Sequence, residues 1–367
     1  MASILTFLGK GGTGRTTLAI AAARQLAVAG RRILLVSSEP DPSFGKLLDW
    51  DTPTPDPQNI GANLDAVQLQ SATLLERSWE EVKKLEAQYL RSPTLKQVYG
   101  QELSILPGMD RALALNALRE FDASNRYDTI VFDGAGDLSM LRTFGMPESV
   151  SWYARRFRKV FFESDLGRTV MPFVQPLTSA VLNTGWSPDN LEEQQPVKAA
   201  DNLLERGKAA VGDRTRMAAY LVATPDPLTL ATAKYLWGSA QQIGLTVGGL
   251  LLNRTNDTAA AITEEFAPLP TIAVPDTQDG QAIGNALPDL LAVGPDIPGA
   301  VTVDVAAKQV RLFLPGIAKK QVKLTQYGPE LTIEAGDQRR NLALPPQLSG
   351  KPVTGAKFQN GFLIVSF

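Results

Sequence analysis

A chain of 367 residues is too long for one small domain, so one large domain with a smaller companion is expected. Apolar residues make up 44% of it, enough for a sizeable core, and a formal charge of -2 gives no electrostatic case for nucleic acid or an anionic membrane as the main partner. Cysteine and histidine are both absent, which excludes disulfides, thiol catalysis, Cys/His zinc sites and histidine acid–base chemistry.

The chain opens on a short apolar run, Ile4–Leu8, that ends in glycines and does not read as a signal peptide. Thr16–Ala29 favours helix, and Gly30 can stop it. Arg32–Ser37 carries ILLV, the mark of a buried parallel strand, and Tyr127–Asp133 repeats it with TIVF. Ala219–Ala223, Gly248–Leu252 and Thr271–Val274 continue the series. Short buried strands separated by helical segments predict an α/β fold with a doubly wound, mostly parallel sheet. Thr73–Arg91 is charged and helix-favouring, with Leu74, Leu75, Trp79, Val82, Leu85 and Tyr89 at apolar positions. A second, irregular stretch runs from 150 to 215. Both read as helical insertions on the sheet. No run of about 18 apolar residues exists, so no transmembrane helix is expected and the protein is taken as soluble and cytoplasmic.

Near residue 295 the composition shifts. The run VGPDIPG at Val293–Gly299 suits a linker, and beyond it VTVDV, QVRLFLP, QVKLTQ, ELTIEA and FLIVSF alternate between turn residues. The expected organisation is residues 1–293, a linker at 294–299, and a small β-sandwich at 300–367.

The sharpest feature is Gly9-Lys10-Gly11-Gly12-Thr13-Gly14-Arg15-Thr16-Thr17, between a strand and a helix. Glycines let the backbone curl until its N–H groups point at phosphate oxygens, and the helix N-terminus adds positive potential. Gly11 to Thr17 are therefore candidate phosphate-binding residues, with the Thr16 hydroxyl placed for Mg²⁺. Arg15 stands where such loops usually carry lysine. It keeps the charge in a larger, planar, forked group.

With Lys10 early in the loop, this segment resembles the deviant P-loop of the MinD/ArsA group of dimeric ATPases. Ser37–Ser43 (SSEPDPS), the stretch from Pro107-Gly108-Met109-Asp110 through Asp133 to Met146-Pro147-Glu148, and Asn253 narrow the resemblance to the ArsA type, the arsenite-pump and tail-anchored-protein-targeting ATPases. It covers residues 1 to 293, with 165 to 215 matching poorly. The resemblance implies ATP and Mg²⁺ as cofactors and a homodimer in which Lys10 reaches the partner's nucleotide. It gives Glu39 the water-orienting place usually held by aspartate and makes Asp133 the Walker B carboxylate beside Thr16 in the Mg²⁺ shell. It also puts Asn253 against adenine, with Pro275 closing the other side of the base. Where the family has Thr-Ala-Pro-Thr-Gly-His in its second switch, this chain has Gly134-Ala135-Gly136-Asp137-Leu138-Ser139. Asp137 either substitutes electrostatically or is a solvated loop charge. Without cysteine, cysteine-based arsenite binding and the zinc clasp of the eukaryotic members are impossible.

Residues 300 to 367 resemble the α-crystallin domain of small heat-shock proteins, through Leu314-Pro315-Gly316-Ile317, Glu330–Ile333 and Asn360-Gly361-Phe362-Leu363. This module either docks clients or stabilises its neighbour. Together the resemblances imply an ATP-controlled chaperone or targeting factor for hydrophobic client segments, touching membranes only through those clients and hydrolysing ATP slowly. The alternatives are a non-hydrolysing, nucleotide-stabilised holdase or scaffold, and an anion-pump subunit. Thr73–Tyr99 and Met171–Leu182 are candidates for lining a client groove, or else amphipathic stripes packed on the chain's own core.

Overall fold

A computed structural model describes residues 1–50, 54–89, 97–163, 195–294 and 296–367. The strands of the large sheet are β1 (Ser3–Leu8), β2 (Ile33–Ser37), β3 (Gln58–Gly61), β4 (Leu64–Gln68), β5 (Thr129–Asp133), β6 (Met217–Ala223), β7 (Thr246–Asn253) and β8 (Thr271–Val274). They lie in the order β3-β4-β2-β5-β1-β6-β7-β8, all parallel except the edge pair β3–β4.

Strict alternation along nearly continuous apolar runs supplies two cores. Leu34 and Val36 of β2 join Ile130 and Phe132 of β5 on one face. Ile33, Leu35 and Val131 join Leu5 and Phe7 of β1 on the other. Side chains of successive residues leave a strand on opposite sides, so a strand covered on both faces must be apolar throughout. Helix α1 (Arg15–Val28) lies on the second face, beside α10 (Gly280–Ala286). The first face is covered by α4 (Met109–Ala123), α5 (Leu138–Phe144) and α8 (Pro227–Gln242).

The remaining helices are α2 (Ser43–Leu47), α3 (Ser71–Tyr89), α6 (Met146–Glu163), α7 (Gln195–Gly212) and α9 (Ala260–Phe266). The stretch read from sequence as irregular between 150 and 215 is thus bracketed by two long helices; Met171–Leu182 lies outside the described residues. The apolar stripe of α3 turns inward: Leu75, Trp79 and Val82 are buried, and the Trp79 indole donates to the Val98 carbonyl at 2.9 Å. These three side chains are covered by the chain itself and do not line an open groove, the second of the two alternatives that the sequence left open. The side chains of Leu85 and Tyr89 lie outside the described set.

The C-terminal strands form two antiparallel sheets. One has β9 (Val301–Asp304), β10 (Gln309–Phe313), β14 (Gly355–Gln359) and β15 (Phe362–Ser366) in the order β14-β15-β10-β9. The other has β11 (Val322–Tyr327), β12 (Glu330–Ala335) and β13 (Gln338–Ala343). Val310, Leu312, Leu331, Ile333, Leu363 and Val365 fill the space between them. At the β14–β15 hairpin both Asn360 and Gly361 have positive φ, 51° and 75°, as a two-residue mirror-image turn requires.

The sandwich is seated on α8 and the neighbouring helices. Phe313 meets Trp237 edge-on at 5.3 Å and Phe362 at 4.7 Å, while Trp237 stacks on Phe266 at 6.3 Å. Arg340 donates to the Gln241 carbonyl at 3.0 Å, and the Trp152 indole on α6 donates to Glu330 at 2.8 Å. Arg142 on α5 is paired with Asp337 in the β12–β13 turn. Ile297, within the segment read as a linker, is buried in the core of the large domain.

Candidate functional site

The glycine-rich loop leaves β1 at the carboxyl end of the sheet, where open α/β folds place their ligands. Thr13 is buried and donates its hydroxyl to the Lys10 carbonyl at 2.8 Å, folding the loop on itself. Gly12 and Gly14 have φ of 83° and 95°. Gly14 is doubly constrained, because a Cβ there would also overlap the Asn253 side-chain nitrogen. That nitrogen donates to the Thr13 carbonyl at 2.8 Å. Asn253, expected at the adenine, therefore uses one of its two amide N–H groups on the loop backbone, which leaves the other N–H and the carbonyl oxygen. Pro275 follows β8 on the same side, half-buried, its carbonyl accepting from Thr277 N–H.

Helix α1 opens with no side-chain cap and no acidic residue in its first turn. Its amide groups and positive end suit an anion. Thr16 and Thr17 follow directly, half-buried, and Lys10 is exposed at the loop's start.

Arg15 turns toward the second switch. Its Nη1 donates to the Gly134 carbonyl at 3.0 Å. A Cβ on Gly136 would come within 2.7 Å of the Arg15 Cδ and Cζ, and Gly136 has φ 61°. The Gly136 carbonyl in turn accepts from Gly9 N–H at 2.9 Å. The two departures from the family pattern, arginine in the loop and glycine in the second switch, are thus one packing arrangement. Burial pushes the Arg15 guanidinium down from its ordinary range, while Asp133, Asp137 and Glu39 oppose the shift.

Asp133 ends β5 and is 5% exposed. Burial pushes its carboxyl up to about 6, against a hydrogen bond from Thr16 and the charge of Arg15, with Glu39 and Asp41 adding to the rise. Thr16, Asp133, Glu39, Asp41, Arg15 and Ser43 line a cavity of about 280 Å³. The donor set fits Mg²⁺ as nucleotide sites use it. Among the described residues no three carboxylates close on one point, and Mg²⁺ ordinarily takes one or two protein oxygens, water and phosphate.

Asp137 accepts from the Ser139 and Met140 N–H groups at 2.9 and 3.1 Å, capping α5. Burial alone would raise its carboxyl, but these bonds, one from the Ser139 hydroxyl and the Arg111 charge hold it below the usual range. Neither sequence reading anticipated this role.

A residue missed by sequence reasoning, Gln68, lies at the end of β4, its side-chain nitrogen donating to the Glu39 and Asp41 carbonyls at 2.8 and 2.7 Å. A polar residue closing a strand at the ligand edge of such a sheet was the available signal. A larger, mainly apolar cavity of about 680 Å³ lies between α4, α5 and the start of α3, sharing Glu39 and Ala135 with the smaller one.

A family model for the anion-transporting ATPases matches residues 2–265. The chain belongs to the ArsA-type anion-transporting ATPase family. A model for the HSP20-like domain found in ArsA proteins matches residues 306–367, the sandwich. Protein Rv2184c of Mycobacterium tuberculosis is 28% identical over 424 residues, covering all of this chain and 96% of that protein. A Prosthecochloris vibrioformis protein that carries the name of an arsenical pump-driving ATPase is 24% identical, over 99% of this chain and 95% of its own length. ATPase GET3 of Malassezia globosa is 25% identical over 175 residues, 47% of this chain and 48% of that protein. Membership of the ArsA-type family implies ATP and Mg²⁺. No helix among the described residues is long and apolar enough to cross a membrane.

Proposed function

We propose that this ArsA-type protein binds Mg²⁺–ATP and uses it to control a homodimer that holds hydrophobic client segments, with slow hydrolysis. The observation that carries the reading is the loop from Gly9 to Thr17, curled at the amino end of α1 with Asp133 and Thr16 beside it. In this reading the loop N–H groups and Arg15 hold the phosphates, Thr16 and Asp133 hold Mg²⁺, Glu39 orients water, and Lys10 reaches across to a partner's nucleotide. Bound Mg²⁺ would neutralise charge on the transferring phosphoryl group. Asn253 and Pro275 take the base side. The relatives' names support both a pump-driving and a GET3-like direction. The absence of cysteine weighs against the arsenite version, since soft thiolate ligands are missing.

The docking of Arg15 on Gly134 favours a second reading, a nucleotide-stabilised holdase that scarcely turns over, because the P-loop cation is committed to a backbone carbonyl. Isothermal titration with Mg²⁺–ATP, sedimentation with and without it, and single-turnover phosphate release decide together. Binding, ATP-dependent dimerisation and turnover well below about 1 s⁻¹, the lower end of the kinase range, support the first reading. Binding with no phosphate release selects the second, and no binding overturns both.

A further inference from the structure

We propose that Gln68 is a positioning residue that sets the first switch from β4, before any nucleotide arrives. The proposal rests on the reading of the neighbouring cavity as a Mg²⁺–nucleotide site. Gln68 is 6% exposed and stands beside Ser37 in the β2–β4 register, two residues before Glu39. One side-chain nitrogen donates to two carbonyls, those of Glu39 and Asp41. Both partners are obligate acceptors, so only one orientation of the amide satisfies them. Pro40, between those carbonyls, has no N–H and contributes no donor to them. The Ser37 hydroxyl makes a longer contact of 3.4 Å with the Glu39 carbonyl. Ser38 N–H is fixed at 3.0 Å on the Asp133 carbonyl.

The consequence is electrostatic. Glu39 and Asp41 face the cavity that holds Asp133 and Arg15, and both act on the Asp133 carboxyl. The charges of Glu39 and Asp41 each act unfavourably on Asp133, and that repulsion pushes the arc outward unless its backbone is held. Gln68 holds it with a neutral donor. A glutamate of the same shape could not do so while ionised, and would add a fourth negative charge.

The test uses the full chain with Gln68→Leu and Gln68→Glu, each checked for a cooperative thermal transition. Hydrogen exchange of peptides spanning 38–48 is read without nucleotide. Nucleotide affinity and single-turnover phosphate release are read with Mg²⁺–ATP. Gln68→Leu is expected to raise exchange in 38–48 about tenfold, the loss expected from hydrogen bonds of ordinary strength. Nucleotide affinity, carried by the loop, should stay within about threefold while phosphate release slows by on the order of tenfold or more, since misplacement acts on rate. Gln68→Glu should behave like Gln68→Leu at pH 8 and recover toward the wild type as pH falls, because a protonated carboxyl regains one donor. A merely structural role would not give that pH-dependent recovery. Unchanged exchange in 38–48, or a Gln68→Glu protein indifferent to pH, overturns the proposal. Should the wild type release no phosphate, exchange alone decides. Should it bind no nucleotide, the reading of the site fails and takes this proposal with it, whereas tight wild-type binding with silent Gln68 variants removes only the role of Gln68.

Discussion

In the nucleotide-free protein Arg15 donates to the Gly134 carbonyl through Nη1, and Gly136 is the lever that tests whether this bond competes with an incoming phosphate. In Gly136→Ala the new methyl would occupy the space of the guanidinium, within 2.7 Å of Cδ and Cζ, so the side chain must leave Gly134. Alanine at φ 61° also costs about 1–2 kcal/mol of strain. A hydrogen bond from a charged group contributes about 1.5–3 kcal/mol, and the lower end applies because Arg15 is only half-buried. The nucleotide-free protein should therefore lose about 2.5–3.5 kcal/mol. Strain is common to both states, but the Arg15–Gly134 bond belongs only to the free one. Removing it should tighten ATP binding by about 1.5 kcal/mol, roughly tenfold. Denaturant unfolding measures the first quantity and isothermal titration the second. A Gly136→Ala protein that is less stable but binds ATP no better than the wild type would show that Arg15 keeps its carbonyl when phosphate is present, and the competition would be refuted.

Arg15→Ala should lose most of its ATP affinity by titration, whereas Arg15→Lys should keep it and turn over faster. Lys10→Ala should weaken ATP-dependent dimerisation in sedimentation more than it weakens nucleotide binding; a dimer indifferent to ATP and to the substitution would remove the inter-subunit role. Asp133 carries a folded-state carboxyl raised to about 6 above the usual 3.8, so it binds its proton more tightly when folded. Its contribution to stability is full below the unfolded value and is lost as pH rises through about 6, a change on the order of 3 kcal/mol at most. Asp133→Asn should flatten that part of the nucleotide-free pH–stability curve, and wild-type Mg²⁺ binding should weaken as pH falls below about 6.

The legible parts of the chain were those with a strong period or a strong local chemistry. ILLV and TIVF announced β2 and β5 because a strand buried on both faces has no freedom to be anything but apolar. The glycine-rich loop announced itself through Gly12 and Gly14, whose positive φ its curl requires. By contrast, β4 reads LDAVQ, with Asp65 facing Tyr127 in a hydrogen bond at 2.9 Å, and its mixed face hid it. β13 reads QRRNLA, a charged edge strand whose Arg340 and Gln338 bind α8 carbonyls, so its pattern obeys the neighbouring domain and not a water-facing surface. The tie between Arg15 and Gly136 spans about 120 positions and has no local signature. Each looked like an isolated departure until the two were brought together.

The aromatic contact between the domains bears on how the chain is made. The large sheet has all eight strands once Val274 has been synthesised, yet Trp237 on α8 still lacks its cover. Phe313 arrives about forty residues later, and Phe362, which packs on Phe313, later still. At a synthesis rate of about 5–20 residues per second, that leaves several seconds in which an indole and its apolar surround stand open to water. That surface is closed only when the HSP20-like strands bring Phe313 and Phe362 onto it, so the last part of the chain to be made completes the packing of a helix made long before.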